Sequence, residues 1–184
     1  AYAYTSVTGT RAGTNAAIYA KSMPDIELDQ AEVKRLTDIM WAPKRRTSGF
    51  DATWALQVIL NTLTPYWVLI LKSEEQMQTA LNTIVYMRDN ILPKLWAPDM
   101  HELRKCHEIK SILLHAEMKL RVSMFRKESR WNHYRLDYPL RDDKNWLCWI
   151  KIKDVDGDME FTKVPIPEEL RPDPNEPYIY RYPY

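Results

Sequence analysis

The densest chemistry in this sequence lies between 125 and 146, FRKESRWNHYRLDYPLRDDKNW, where arginines and carboxylates are interleaved with aromatic residues and one proline. Guanidinium and carboxylate groups at such spacing form charge-assisted, often bidentate hydrogen bonds. They could hold an anion, or they could pin one segment of the chain to another. Arg126, Lys127 and Arg130 read as cations in the last turn of a long helix, where the helix dipole is negative, and Pro139 prevents continuation. Arg135, Asp137, Arg141, Asp142 and Asp143 then alternate in sign along a short irregular segment. That segment is expected to be tied down by ion pairs and by burial of Trp131, Tyr134, Tyr138 and Trp146. On residue physics alone the simpler account is a structural corner, because ion-pair networks are common away from active sites.

Two other stretches offer chemistry. Residues 9–22, GTRAGTNAAIYAKS, set two glycines and small side chains before an alanine-rich helical turn, an arrangement that can bring backbone N–H groups close to an anion. As a motif it is weak, and a plain turn explains it more simply. His101, Cys106, His107 and His115 fall within 15 residues, which invites a metal reading. No His-Glu-x-x-His spacing exists, and the eight residues between His107 and His115 separate the rings by roughly 12 Å along a helix, too far for one ion. No metal site is expected.

The elements that must position these groups are mainly helical. Asp29 with Glu32 reads as a capping box opening a helix to about 41, stopped by Pro43, with Leu28, Val33, Leu36, Ile39 and Met40 as its apolar face. Lys44, Arg45 and Arg46 fall in a loop, as a solvated surface. From 52 to 71 there are 20 uncharged residues, enough to span a bilayer, but Gln57, Asn61, Thr62, Thr64 and Pro65 interrupt them. A core helix broken or restarted at Pro65 is the better reading. Ser73 with Gln76 caps a helix to about 92, and Asp99 with Glu102 opens the longest one, to about 129. These last three helices make an antiparallel bundle. NWLCWIKIK (145–153), the Asp156-Gly157 turn and MEFTKVP (159–165) predict a β-hairpin. The final 20 residues hold half of the chain's 12 prolines and are expected to lie extended, against their own domain or a partner. The fold class is thus mainly α: a three-helix bundle, a C-terminal hairpin and a Pro/Tyr-rich tail.

With 184 residues, a self-contained chain would bury about 70% of its unfolded surface. The 26 basic and 25 acidic residues nearly cancel, so no global field argues for nucleic acid or an anionic membrane. Cys106 and Cys148 are too few for a disulfide scaffold or a thiolate cluster, so an iron–sulfur centre would have to sit on a partner. The opening AYAYTSVTG has no initiator methionine or leader and reads like a strand end entering a loop, as if the chain began mid-fold.

The run ESRWNHYRLDYPLRDDKNW, 128–146, resembles the C-terminal helical domain of flavoproteins in the succinate dehydrogenase and fumarate reductase superfamily. His133, Tyr134, Arg135, Asp137, Pro139, Arg141, Asp142, Asp143 and Trp146 fit its pattern. Within the superfamily, Trp131 after Glu-Ser-Arg, the aromatic strand and Lys-Val-Pro look most like the adenylylsulfate reductase alpha subunit. The resemblance implies noncovalent FAD, an iron–sulfur electron-transfer partner and two-electron chemistry on an anionic substrate. The substrate pair would be adenylylsulfate with sulfite and AMP, or fumarate with succinate. It also implies a substrate contact at Arg11 and flavin contacts at Gly13, Thr14, Asn15, Ala16 and Ala17. Thr14, Ala16 and Ala17 depart from the family pattern, in which glycine, serine and leucine are usual. Arg130, Trp131, Arg135, Arg141 and Trp146 are expected at a domain or subunit contact.

The expected layout is a flavin-domain remnant (1–23), a helical bundle (24–130), the charged corner and hairpin (131–164) and the tail (165–184). No Gly-x-Gly-x-x-Gly fingerprint occurs, so FAD would be held mainly by residues outside this chain, and catalysis by the chain alone is not expected. The location implied is cytoplasmic, with a membrane span disfavoured. A noncatalytic helical assembly or binding subunit derived from such a flavoprotein is the alternative.

Overall fold

The computed structural model describes residues 2–25 and 27–171, in two units, Ala1–Ile39 and Met40–Tyr184. The segment 172–184, which includes most of the expected extended tail, lies outside the described residues.

In the first unit, α1 (Tyr2–Ser22) is one continuous helix with no buried residue. This corrects the expected strand end and loop: Gly9 and Gly13 sit inside the helix. Each costs only about 1 kcal/mol there, too little to force a break among Ala12, Ala16, Ala17 and Ala20. The hydroxyls of Thr8, Thr10 and Ser22 fold back onto carbonyls one turn earlier. A second helix, α2 (Gln30–Arg45), whose residues from Met40 on, Pro43 included, belong to the second unit, starts as expected at Asp29, whose Oδ1 accepts the Ala31 N–H at 2.9 Å. Glu32 does not complete the box; it pairs with Arg35 at 2.6 Å. The helix runs through Pro43, because a proline in the last turn forfeits only one helical bond. Pro43 is buried, and its carbonyl accepts the Ala97 N–H at 3.0 Å. Leu28, Val33, Leu36, Ile39 and Met40, read as one apolar face, are all exposed.

The second unit is the bundle. Its elements are β1 (Phe50–Asp51), α3 (Ala52–Leu63), α4 (Tyr66–Leu69), β2 (Leu71–Lys72), α5 (Glu74–Tyr86), a π-turn over Met87–Ile91, β3 (Leu95–Trp96) and α6 (Met100–Phe125). After these come β4 (Tyr134–Arg135), α7 (Asp143–Trp146), β5 (Cys148–Val155) and β6 (Asp158–Pro165). The antiparallel succession α3, α5, α6 encloses a core in which Ile59, Met77, Ile84, Leu95, Ile109, Leu113 and Leu120 are fully buried. Pro65 ends α3 and restarts the chain as α4. Asp51 caps α3, accepting from the Trp54 N–H at 2.7 Å, and Asp99 caps α6 through Glu102. Among the described residues, no helix is long and apolar enough to cross a membrane.

Two short parallel strand pairs lock the helix ends. β1 lies beside β3, with Phe50 opposite Leu95, and β2 lies beside β4, with Lys72 opposite Arg135. The first pair explains Gly49: a Cβ there would stand 2.3 Å from the Lys94 carbonyl oxygen. The hairpin β5–β6 turns at Asp156-Gly157, both at positive φ (54° and 92°), as the sequence predicts.

Candidate functional site

The charged segment forms a clasp around the C-terminus of α6. That helix ends at Phe125, earlier than expected, and Arg126 is already extended. The cause is Arg135, whose side chain is fully buried. Its Nη1 donates to the carbonyls of Ser123 (2.8 Å) and Met124 (3.2 Å), capping the helix end from ten residues downstream. The helix-dipole cation is therefore Arg135, and Arg126, Lys127 and Arg130 leave the helix axis. On its other edge the guanidinium grips Asp137 bidentately, Nε to Oδ1 at 2.7 Å and Nη2 to Oδ2 at 2.6 Å, and Nη2 also reaches Glu74 on α5 at 2.6 Å. Asp137 in turn accepts the Glu74 backbone N–H at 3.1 Å. This corrects the Ser73/Gln76 capping box: Ser73 makes no side-chain cap, and the start of α5 is capped from the corner. The hydrogen bonds from Arg135 hold the Asp137 carboxyl below its ordinary 3.8.

A second knot centres on Glu128, also fully buried. It accepts from Arg126, from Arg130 at 2.9 and 3.1 Å, and from the Asp142 N–H at 2.8 Å. Arg130 continues to Asp143 at 2.5 Å, which Arg141 also reaches at 2.7 Å. Arg126 donates to the carbonyls of Trp146 and Cys148, tying the hairpin to the helix end. Phe125 meets Trp146 edge-on and stacks on Phe161, and Lys163 lies 3.3 Å from the Trp146 ring centre. The ion pairing read from the sequence is present, and Trp146 is buried; Tyr134 is only half-buried, Tyr138 is exposed, and Trp131 is 92% exposed.

Sequence reasoning missed Lys72. It is buried, and its ammonium donates to the carbonyls of Asn132 (3.1 Å) and Ile70 (3.5 Å). Burial first, then Lys119 and Arg135, lower its pKa. A lysine closing an apolar run looks like a surface flank, and no local signal marks it otherwise. His133 contacts the Arg126 carbonyl through Nε2 at 3.1 Å, and burial pushes it below 6.5.

The α1 residues Arg11, Gly13, Thr14, Asn15, Ala16 and Ala17 are exposed along a helix. Their backbone N–H groups serve that helix, Asn15 Nδ2 donates to the Arg11 carbonyl, and a Cβ on Gly13 would meet nothing within 4 Å. Inside α1 these N–H groups are taken up by the helix itself. Among the described residues no group of three or more potential metal ligands converges. His107 contacts the Met40 carbonyl, His115 the Ser111 carbonyl.

A helical bundle closed by a buried Arg–carboxylate clasp and an antiparallel hairpin is the arrangement that the comparisons must match. Residues 60–176 match the family described as the fumarate reductase flavoprotein C-terminal domain. Solved structures share the fold. The Sdh1 complex of Mycobacterium smegmatis in its apo form is 22% identical, with TM-score 0.69 over 86% of this chain and 28% of that one. E. coli quinol fumarate reductase is 21% identical, with TM-score 0.73 over 84% and 28%. A quinol–fumarate reductase with menaquinol molecules is 20% identical, with TM-score 0.75 over 88% and 29%. The chain thus spans less than a third of the length of these proteins. It belongs to the fumarate reductase flavoprotein C-terminal family.

Proposed function

We propose that the chain is the C-terminal section of the FAD-dependent catalytic subunit of an oxidoreductase, packing against a flavin-binding domain and an iron–sulfur partner in the cytoplasm. One observation carries the structural role: the buried charges of the clasp are spent on one another and on helix ends, with Arg135 and Glu128 fully enclosed. Such a network fixes the relative placement of α5, α6 and the hairpin; it does not leave a cation open to a substrate. In this reading α1, with Arg11 and Gly13–Ala17, is completed by the flavin domain, and FAD is bound mainly by residues beyond these 184.

The finer assignment is to the adenylylsulfate reductase type, supported by the Glu-Ser-Arg-Trp run at 128–131 and the Cys148–Val155 strand with Lys163-Val164-Pro165. The substrate pair is then adenylylsulfate with sulfite and AMP; for the fumarate reductase type it is fumarate with succinate. The test is the intact mass and visible spectrum of the assembly from its native source, followed by turnover of both substrate pairs. Flavin absorption accompanying this chain, with a longer polypeptide or a companion bearing the glycine-rich fingerprint, is the expected result. A colourless, stable 21.9 kDa species would instead favour a noncatalytic helical assembly subunit, a reading that the complete apolar core from Ala52 to Leu120 makes physically self-consistent.

A further inference from the structure

Among the described residues, two other than glycine adopt positive φ, and they are not alike. Asp156, at 54°, stands beside Gly157 in the β5–β6 turn, where the turn type demands that geometry and aspartate tolerates it. Trp131, at 50°, is the first central residue of a two-residue turn closed by Arg130 N–H to His133 O (2.7 Å) and His133 N–H to Arg130 O (2.9 Å). Positive φ at that position alone is the pattern that calls for glycine, and a bulky side chain there is a steric outlier. The fold draws no packing from the indole in return, since it is 92% exposed. The turn beneath it is nonetheless braced: Lys72 holds the Asn132 carbonyl and His133 the Arg126 carbonyl. A strained aromatic on a rigid base, offering nothing to its own fold, is a pre-organised anchor for something else.

The charge around it selects the partner. Residues 126–146 carry six Lys and Arg against four Asp and Glu, an excess of two positive charges. Adding Lys72 and Glu74, which β2 and α5 bring to the corner, leaves that excess unchanged. A second copy meeting this face symmetrically would oppose like charges. We propose that Trp131 is the hot-spot anchor of a docking surface for a separate protein subunit whose face is acidic and carries an apolar socket for the indole. Ile70 and Leu136, exposed beside the β2–β4 pair, extend the same surface, and Lys127, four residues before Trp131, is exposed and lies over the Tyr138 ring. This rests on the reading that the chain works inside a multi-subunit assembly.

The test uses the assembly purified from its native source and the companion subunit separated from it. Hydroxyl-radical footprinting reads Trp131 oxidation in the flavin-bearing part alone and after the companion is added; protection is expected only on addition. Trp131→Gly is expected to melt at or above the parent temperature, because glycine relieves the backbone, and to bind the companion roughly 30-fold or more weakly. Trp131→Phe keeps most of the affinity, and Lys127→Glu slows association in a salt-dependent way. Unchanged affinity in Trp131→Gly overturns the proposal, as does protection before the companion is added. A flavin-containing assembly whose Trp131 stays reactive overturns the docking surface and spares the flavoprotein reading. Protection in a flavin-free assembly does the reverse.

Discussion

The corner at 126–146 and the helix α1 are the two regions whose residues suggested function, and they are built on opposite terms. The corner closes on itself: Arg135 and Glu128 are fully buried, and each holds groups from several segments. α1 closes on nothing within itself, and Tyr2, Tyr4, Ile18 and Tyr19 are each more than 60% exposed. An isolated helix of 21 residues containing two glycines is marginal in water, so its order must come from tertiary contact. The corner is therefore a finished structural device. α1 has no buried residue.

Breaking the corner is expected to have the largest effect. Arg135→Met leaves the Glu74 and Asp137 carboxylates and the carbonyls at the end of α6 without their common donor. The cost expected is about 3–5 kcal/mol, measured by urea denaturation of the chain. A loss below about 1 kcal/mol would show that the clasp is not what holds α5 to α6. Glu128→Gln keeps the volume and removes the charge that Arg126 and Arg130 share, for an expected loss of about 1.5–3 kcal/mol in the same assay.

The corner should also carry a signature in pH that α1 lacks. His133 is a base held below its ordinary 6.5 by burial and by neighbouring Lys72, Arg126 and Arg135. As pH falls, the unfolded chain takes up this proton first. The stabilising contribution is therefore complete above about 6.5 and declines as pH drops toward the folded value. Asp137 is depressed by its bonds to Arg135, so its contribution is lost only at pH below 3.8. Denaturation midpoints should fall across the mildly acidic window, and His133→Gln should flatten that slope; an unchanged slope would remove His133 from the account. The smallest effect belongs to α1: Arg11→Ala should change the stability of the chain by less than about 0.5 kcal/mol, as for an exposed side chain.

What the sequence made legible follows the range of the interactions. Local signals held: the Asp99 cap, the break at Pro65, and the Asp156-Gly157 hairpin each depend on residues a few positions apart. Sign alternation at 135–143 correctly indicated ion pairs, but not which partners. The decisive ones are distant: Arg135 reaches back to Ser123 and across to Glu74, and Asp137 replaces the expected Ser73 box from 63 residues away. Trp131 was misjudged because aromatics are usually buried, and composition carries no record of its turn. The α1 residues were read as a loop because glycine and threonine signal turns, whereas hydroxyls folding back on carbonyls let a helix absorb them.

Hydrogen exchange read by mass spectrometry, on the chain alone and again in its native assembly, tests the contrast most directly. α6 and residues 126–146 are expected to be strongly protected in both, while α1 exchanges fast alone and slowly in the assembly. Fast exchange of 126–146 in the isolated chain, or an α1 that remains unprotected in the assembly, would contradict that contrast.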